Sequence, residues 1–280
     1  MINPTEYWTK HLVAHRRHPT RKASLEHFHW RNAQYHGYLE LMPVAGQNEK
    51  VVLDYGCGPG NDLVGFGEFS KTKKLYGVDI SSSALRFAEE RLALHDIMAE
   101  LIQIDDSENE LPISSVSVDY IHTSGVLHHC THLNSVLKEF HRILKPGGKL
   151  SIMVYNHDSL WLHLYVAYVL RIEQGKYQDV SLMDAFRRST DGAECPISHC
   201  YKKEDFIEVV KSFGFFGGLS GCSISKHELS LLHKRNAAVN CKELDSIHTS
   251  FLNEITLNQN GIPLYGNDVA GIGSCYHFSK

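Results

Sequence analysis

Val51-Val-Leu-Asp54-Tyr-Gly56-Cys57-Gly58-Pro-Gly60 decides the fold of this 280-residue chain. Three apolar residues run into an aspartate, and after Tyr55 glycines recur at alternate positions. Val51–Tyr55 reads as a short buried strand, and the glycines let the backbone turn tightly and approach a ligand closely. The residues after Gly60 read as helical. A strand, a glycine turn and a helix is the opening unit of an open parallel sheet, in which ligands sit at the carboxyl ends of the strands.

Working outward, apolar runs alternate with helical patterns. Lys74–Ile80, 101–105, Val118–Ser124 and Lys149–Tyr155 read as strands two to five. Ser81–Ser83 can cap a helix carrying Leu85, Ala88 and Leu92, and Thr131 can cap another with Leu133, Val136, Leu137, Phe140, Ile143 and Leu144 on one stripe. Pro146-Gly147-Gly148 ends that helix. Such alternation predicts a mostly parallel sheet with helices on both faces. Residues 157–200 read as helical without a clear strand. A helix over 203–213, a glycine-broken strand near 219–224, a helical region over 227–257 and a last strand over 274–279 complete the chain.

Asp79 ends the second strand about 20 residues after the glycine loop, where an acidic side chain can accept both hydroxyls of a ribose. The spacing suits any adenosine-containing cofactor. A nicotinamide dinucleotide carries a pyrophosphate, which favours G-x-G-x-x-G and bare N–H groups. Here the spacing is G-x-G-x-G, and Asp54 opens it. A carboxylate repels pyrophosphate and attracts ammonium or sulfonium, and S-adenosylmethionine carries both cations and no phosphate.

These segments, with Tyr76–Ile80, 103–119 and Leu144–Leu150, resemble the class I S-adenosylmethionine-dependent methyltransferases over residues 48–156. The resemblance implies an α/β, Rossmann-like, seven-stranded, mostly parallel sheet with helices on both faces. It also implies an N-terminal helical cap over 1–48 and a cofactor-binding core over 49–156. A helical insertion after strand five (157–200) would form the substrate region, and 201–280 would complete the core with a further insertion. By position, Asp54, Gly56, Cys57, Gly58 and Gly60 would hold the methionine end of the cofactor. Asp79 and Ile80 would hold the ribose, Asp105 or Asp106 would approach the adenine, and Ser124 would border the site. Val118 stands where the family often carries an aromatic, which predicts a differently shaped adenine pocket. Tyr7 and Arg31 in the cap are expected at the sulfonium and the methionine carboxylate.

Methyl transfer needs alignment of donor and acceptor, and a hydroxyl acceptor also needs a base. His128, in the Leu-His-His that follows strand four, is a candidate base, with packing as its other reading. Asp191 and His199, in the polar segment after strand five that ends the insertion, are further candidates. Cys195, His199 and Cys200 suggest zinc but lack a clear fourth ligand, so no metal is expected. His11, His15 and His18 share a helical spacing that is more usually an exposed polar face.

The formal net charge of −4 argues against a nucleic-acid substrate. So does Ser124-Gly-Val-Leu in place of the Asn-Pro-Pro-Tyr-type motif of some DNA amino-methylating enzymes. The expected activity is O-methylation of a small molecule. The rivals are a non-catalytic S-adenosylmethionine-binding module and a nicotinamide-dependent oxidoreductase. The run 160–170 is too short to span a membrane and fits a buried helix or a homodimer contact. Seven cysteines without an export signal point to reduced thiols and the cytoplasm.

Overall fold

The computed structural model describes residues 3–12, 16–105 and 110–280. The principal strands are β1 (Val51–Tyr55), β2 (Lys74–Asp79), β3 (Glu100–Gln103), β4 (Val118–Ser124), β5 (Leu144–Asn156), β6 (Phe216–Ser225) and β7 (Gly273–Ser279). Their spatial order is 3-2-1-4-5-7-6. β1 to β5 pair in parallel, and β7 runs antiparallel between β5 and β6. Two two-residue strands that the sequence does not announce extend this sheet to nine. Tyr35–His36 adds to the β6 edge, and Cys200–Tyr201 pairs with the end of β5.

Successive side chains on a strand point to opposite faces, and the burial follows that period. Val52, Leu75 and Tyr120 pack with Phe28 of helix α2 (Arg21–Asn32), Leu63 and Phe66 of α3 (Asn61–Phe69), and Ala88 and Leu92 of α4 (Ser82–Ala93). Leu53 and Ile121 face the other way. They pack with Leu137, Phe140 and Ile143 of α5 (Leu133–Ile143) and Phe206 and Val210 of α6 (Lys203–Lys211). Each such fully buried side chain contributes roughly 1.5–3 kcal/mol.

Ser81 caps α4 by accepting from the Ala84 amide at 3.1 Å, as its position predicts. Thr131 caps nothing: α5 begins after His132 without a side-chain cap. Pro146-Gly147-Gly148 does not end the helix, which stops at Ile143, but bulges within β5. Val118 pairs with Leu144 and Tyr120 with Lys149, so the intervening residues loop out where Gly147 has φ +76°. Val118 lies at the amino end of β4 with no exposed surface, packed in the core. It is therefore remote from the carboxyl edge where an adenine pocket would form.

The 160–170 run forms a π-helix, Trp161–Glu173, whose leucines and valines are buried against the chain itself. Intramolecular packing accounts for its composition. No helix of the described residues is long and apolar enough to cross a membrane. After β6 come three short α-helices, including α7 (Ser246–Glu254), and one 3-10 turn, followed by a small sheet of Thr256–Leu257, Pro263–Tyr265 and Asp268–Val269. That sheet was not legible as strands.

Candidate cofactor and acceptor site

The glycine loop leaves β1 at its carboxyl end. The amides of Gly56 and Cys57 both donate to the Val78 carbonyl, at 2.7 and 3.0 Å, folding the loop back over β2. Gly56, Gly58 and Gly60 all have positive φ. At Gly56 a Cβ would lie 2.2 Å from Val126 Cγ2, so only glycine fits there. At Gly58 a Cβ would meet nothing within 4 Å. This stretch of backbone therefore faces open space rather than protein.

Asp79 ends β2 and accepts from the Gly58 amide and the Ser81 amide, both at 2.8 Å. Its carboxylate fixes the glycine loop and the start of α4 together, with Ile80 alongside. Cys57 is buried, and burial pushes its thiol well up, so it packs as a small apolar group. Asp105 is exposed after β3, and Asp106 lies outside the described residues.

Asp54 is 2% exposed, and its Oδ2 has no hydrogen-bond partner among the described residues. Burial pushes its carboxyl up to about 7, with nearby His122 opposing and Asp62 adding to the rise. Asp62, at the start of α3, was not singled out in the sequence. Burial pushes it up, but the Arg31 guanidinium 3.4 Å away and His122 at 3.5 Å outweigh this and hold it low. Arg31 also stacks over Tyr38, and the Tyr38 hydroxyl sits 2.6 Å from Ser124 Oγ at the end of β4. Arg31 and Ser124 thus belong to one buried network with Asp62 and Tyr38. An acidic residue in a helix's first turn is ordinary, so nothing in the sequence marked Asp62.

The second cluster forms beyond β4. Asp191 ends an insertion helix, Leu182–Asp191. Its carboxylate lies 3.4 Å from His129 Nε2 and accepts from Tyr155 at 3.0 Å, Thr190 at 2.6 Å and Ser198 at 3.1 Å. Burial raises Asp191, and His129 with these donors more than offsets it, leaving it below the ordinary value. Burial lowers His129, but Asp191 and its other partners raise it to about 9. Asp191 therefore engages His129, not His128. His128 has no exposed surface, stacks on Tyr155 with centroids 3.8 Å apart, and is held well below the ordinary value by burial. His199 is solvent-facing, its amide donating to the His128 carbonyl at 3.0 Å, and burial with nearby His129 lowers it.

Tyr7, in helix α1 (Pro4–Lys10), is buried and donates its hydroxyl to the Asp191 carbonyl. Burial, with Cys195 and Asp191 nearby, pushes it up to about 12. Trp8 packs its ring 4.8 Å from that of His129. Tyr7 and Arg31, paired in the sequence reading, therefore serve two different networks. Cys195 joins His129 and Asp191 rather than Cys200 and His199. His11 stacks on Tyr7, His18 turns to His27, and His15 lies outside the described residues.

The donor set fits a cationic, phosphate-free ligand: a buried carboxylate with one unpartnered oxygen, a second carboxylate on the loop amides, and open backbone at Gly58. A family model described as a methyltransferase domain matches residues 47–212, more than half of the chain. Demethylmenaquinone methyltransferase of Geobacillus stearothermophilus is 24% identical over 60% of the chain and 76% of its own length. The ubiquinone/menaquinone biosynthesis C-methyltransferase UbiE of Laribacter hongkongensis is 34% identical over 42% of the chain and 48% of its own. Across the first of the curated relatives, the matches span from 31% to 76% of their lengths. The crystal structure of the YcgJ protein from Bacillus subitilis shares the fold, with TM-score 0.54 and 15% identity over 86% of this chain and 95% of that one. The chain belongs to the methyltransferase-domain family, as a class I S-adenosylmethionine-dependent methyltransferase. Its cofactor is S-adenosyl-L-methionine.

Proposed function

We propose that this chain methylates a hydroxyl of a small molecule enclosed between the cofactor loop and helix α1, with His199 as the base. The observation that carries the reading is His199 itself. It is an exposed imidazole, kept neutral near pH 7, whose backbone is fixed at the carboxyl edge of the sheet. S-adenosylmethionine supplies an activated methyl group when bound.

The chain's own residues supply the rest. Asp54 would face the cationic methionine end, Gly56, Gly58 and Gly60 would admit it, and Asp79 would accept the ribose hydroxyls. Arg31, oriented by Asp62, would reach the methionine carboxylate. His129, charged at neutral pH, is a poor base; with Asp191 it fixes the loop that presents His199. Tyr7, bonded to the Asp191 carbonyl, and Trp8, packed on His129, tie helix α1 to that loop. The mildly acidic charge and the enclosure favour a small acceptor over nucleic acid. Seven free cysteines favour a reducing compartment such as the cytoplasm.

Carbon methylation is the second reading, favoured by relatives named as C-methyltransferases. A phenolic acceptor would need the same base, because removing the hydroxyl proton also activates the ring carbon. The test is a labelled-methyl screen of hydroxyl-bearing acceptors, with the product's methyl position read by NMR. An oxygen-bound methyl and a loss of turnover of about 10²–10⁴ in His199→Ala support the proposal. Full turnover by that variant contradicts the base assignment, and a carbon-bound methyl selects the second reading.

A further inference from the structure

Just beyond Asn156, where β5 ends, a different set of imidazoles gathers. His157 and Asp158 follow β5 directly, and His163 lies in the first turn of the π-helix. One ligand atom from each of the three lies within 4.8 Å of the others. His163 is 2% exposed. Its Nδ1 sits 2.9 Å from Nδ1 of His248, on α7, and its ring stacks on Phe251 at 4.0 Å. Its other nitrogen, Nε2, is buried with no hydrogen-bond partner among the described residues.

A buried imidazole nitrogen without a partner is costly, and a bound ion is one way to satisfy it. Two imidazole nitrogens 2.9 Å apart share one proton, so one ring donates and the other accepts. If His163 donates through Nδ1, its Nε2 carries a lone pair left free for a ligand. That is the arrangement metal-binding histidines adopt: one nitrogen ligates and the other is fixed by an outer partner.

We infer that His157, Asp158 and His163 form a binding site for a zinc-type divalent cation, with His248 orienting His163. Two imidazoles and a carboxylate are the donor types such ions take, at bond lengths of about 2.0–2.2 Å. Small side-chain rotations bring donor atoms within 4.8 Å onto one ion. Asp158 already lies 2.8 Å from His157 Nδ1, and both residues retain access to solvent, which gives the ion a path of entry. The ion would clamp the end of β5 to the π-helix and, through His248, to α7.

The His129, Asp191 and Cys195 cluster has similar ligand types but a different state. His129 Nδ1 is 2.6 Å from the Ile197 carbonyl, and Asp191 is held by Tyr155, Thr190 and Ser198. Its hydrogen-bonding capacity is satisfied within the protein, whereas His163 Nε2 is not.

The test uses the full chain, free of any histidine tag and stripped with chelator, titrated with Zn²⁺ and, separately, with Co²⁺. One equivalent of Co²⁺ should produce a visible ligand-field band. His163→Gln and Asp158→Asn should each abolish stoichiometric binding, and His248→Ala should weaken it about 10–100-fold. Circular dichroism of each variant separates lost binding from lost folding. No stoichiometric binding by folded wild type overturns the site. So does binding that survives His163→Gln, or that is lost in His129→Gln instead.

Discussion

Asp79 Oδ2 accepts the Gly58 amide at 2.8 Å while its Oδ1 accepts the Ser81 amide, so one carboxylate joins the two turns that leave β1 and β2. The residue expected to meet the ribose is thus already a structural tie. Asp79→Asn keeps the size but replaces one acceptor oxygen with a donor facing an N–H group. Expected are a loss of about 1–3 kcal/mol in urea unfolding and at least tenfold weaker S-adenosylhomocysteine binding. Unchanged affinity would remove Asp79 from the site.

Asp54 links proton and cofactor. Its folded value is raised to about 7 by burial, above the unfolded carboxylate range near 4. A raised value stabilises below the unfolded pKa, and that contribution is lost as pH rises through about 7. A cationic ligand favours the ionised form, so binding should tighten with pH between about 6 and 8 and release a proton. Calorimetry in buffers of different ionisation enthalpy reads this directly. Asp54→Asn should bind more weakly, with no proton release.

The His129–Asp191 pair has two pH limits. His129 is raised to about 9, so its contribution is complete below about 6.5 and disappears as pH rises through 9. Asp191 is lowered, so its contribution is present above about 4 and disappears as pH falls. Asp191→Asn should therefore cost most near pH 5–6, about 3–5 kcal/mol, and progressively less towards pH 9. A cost independent of pH across 5–9 would mean the pair is not ionised.

Much of this fold was legible because it rests on period and turn chemistry. Leu53 and Val52 sort to opposite helical layers as alternation requires, and Gly56 is glycine because Val126 stands 2.2 Å from where a Cβ would be. In the candidate site, turn chemistry marked Asp54 and Asp79, and the family resemblance marked Tyr7, Arg31 and Ser124. Asp62, Tyr38 and His122 converge from three separated segments, and nothing local in the chain marks that convergence. The same limit explains why Asp191 reads as a candidate beside His199, although its carboxylate engages His129. It also explains the small sheet of residues 256–269, whose strands are two or three residues long.

Tyr7 ties helix α1 to the acceptor loop through the Asp191 carbonyl. Tyr7→Phe removes that hydrogen bond at little change in volume, a loss of about 1 kcal/mol. Hydrogen exchange should quicken in residues 4–10 while β1, β4 and β5 keep their protection. Equal protection in variant and wild type would mean that α1 is held by packing alone.

The most direct measurement is calorimetric titration of the folded wild-type chain with S-adenosylmethionine and S-adenosylhomocysteine. The predicted result is one site per chain for each ligand, with Asp54→Asn and Asp79→Asn both weakened at least tenfold. Absence of binding by the folded wild type, or binding indifferent to both substitutions, would contradict the assignment of the glycine loop and its two carboxylates to the cofactor.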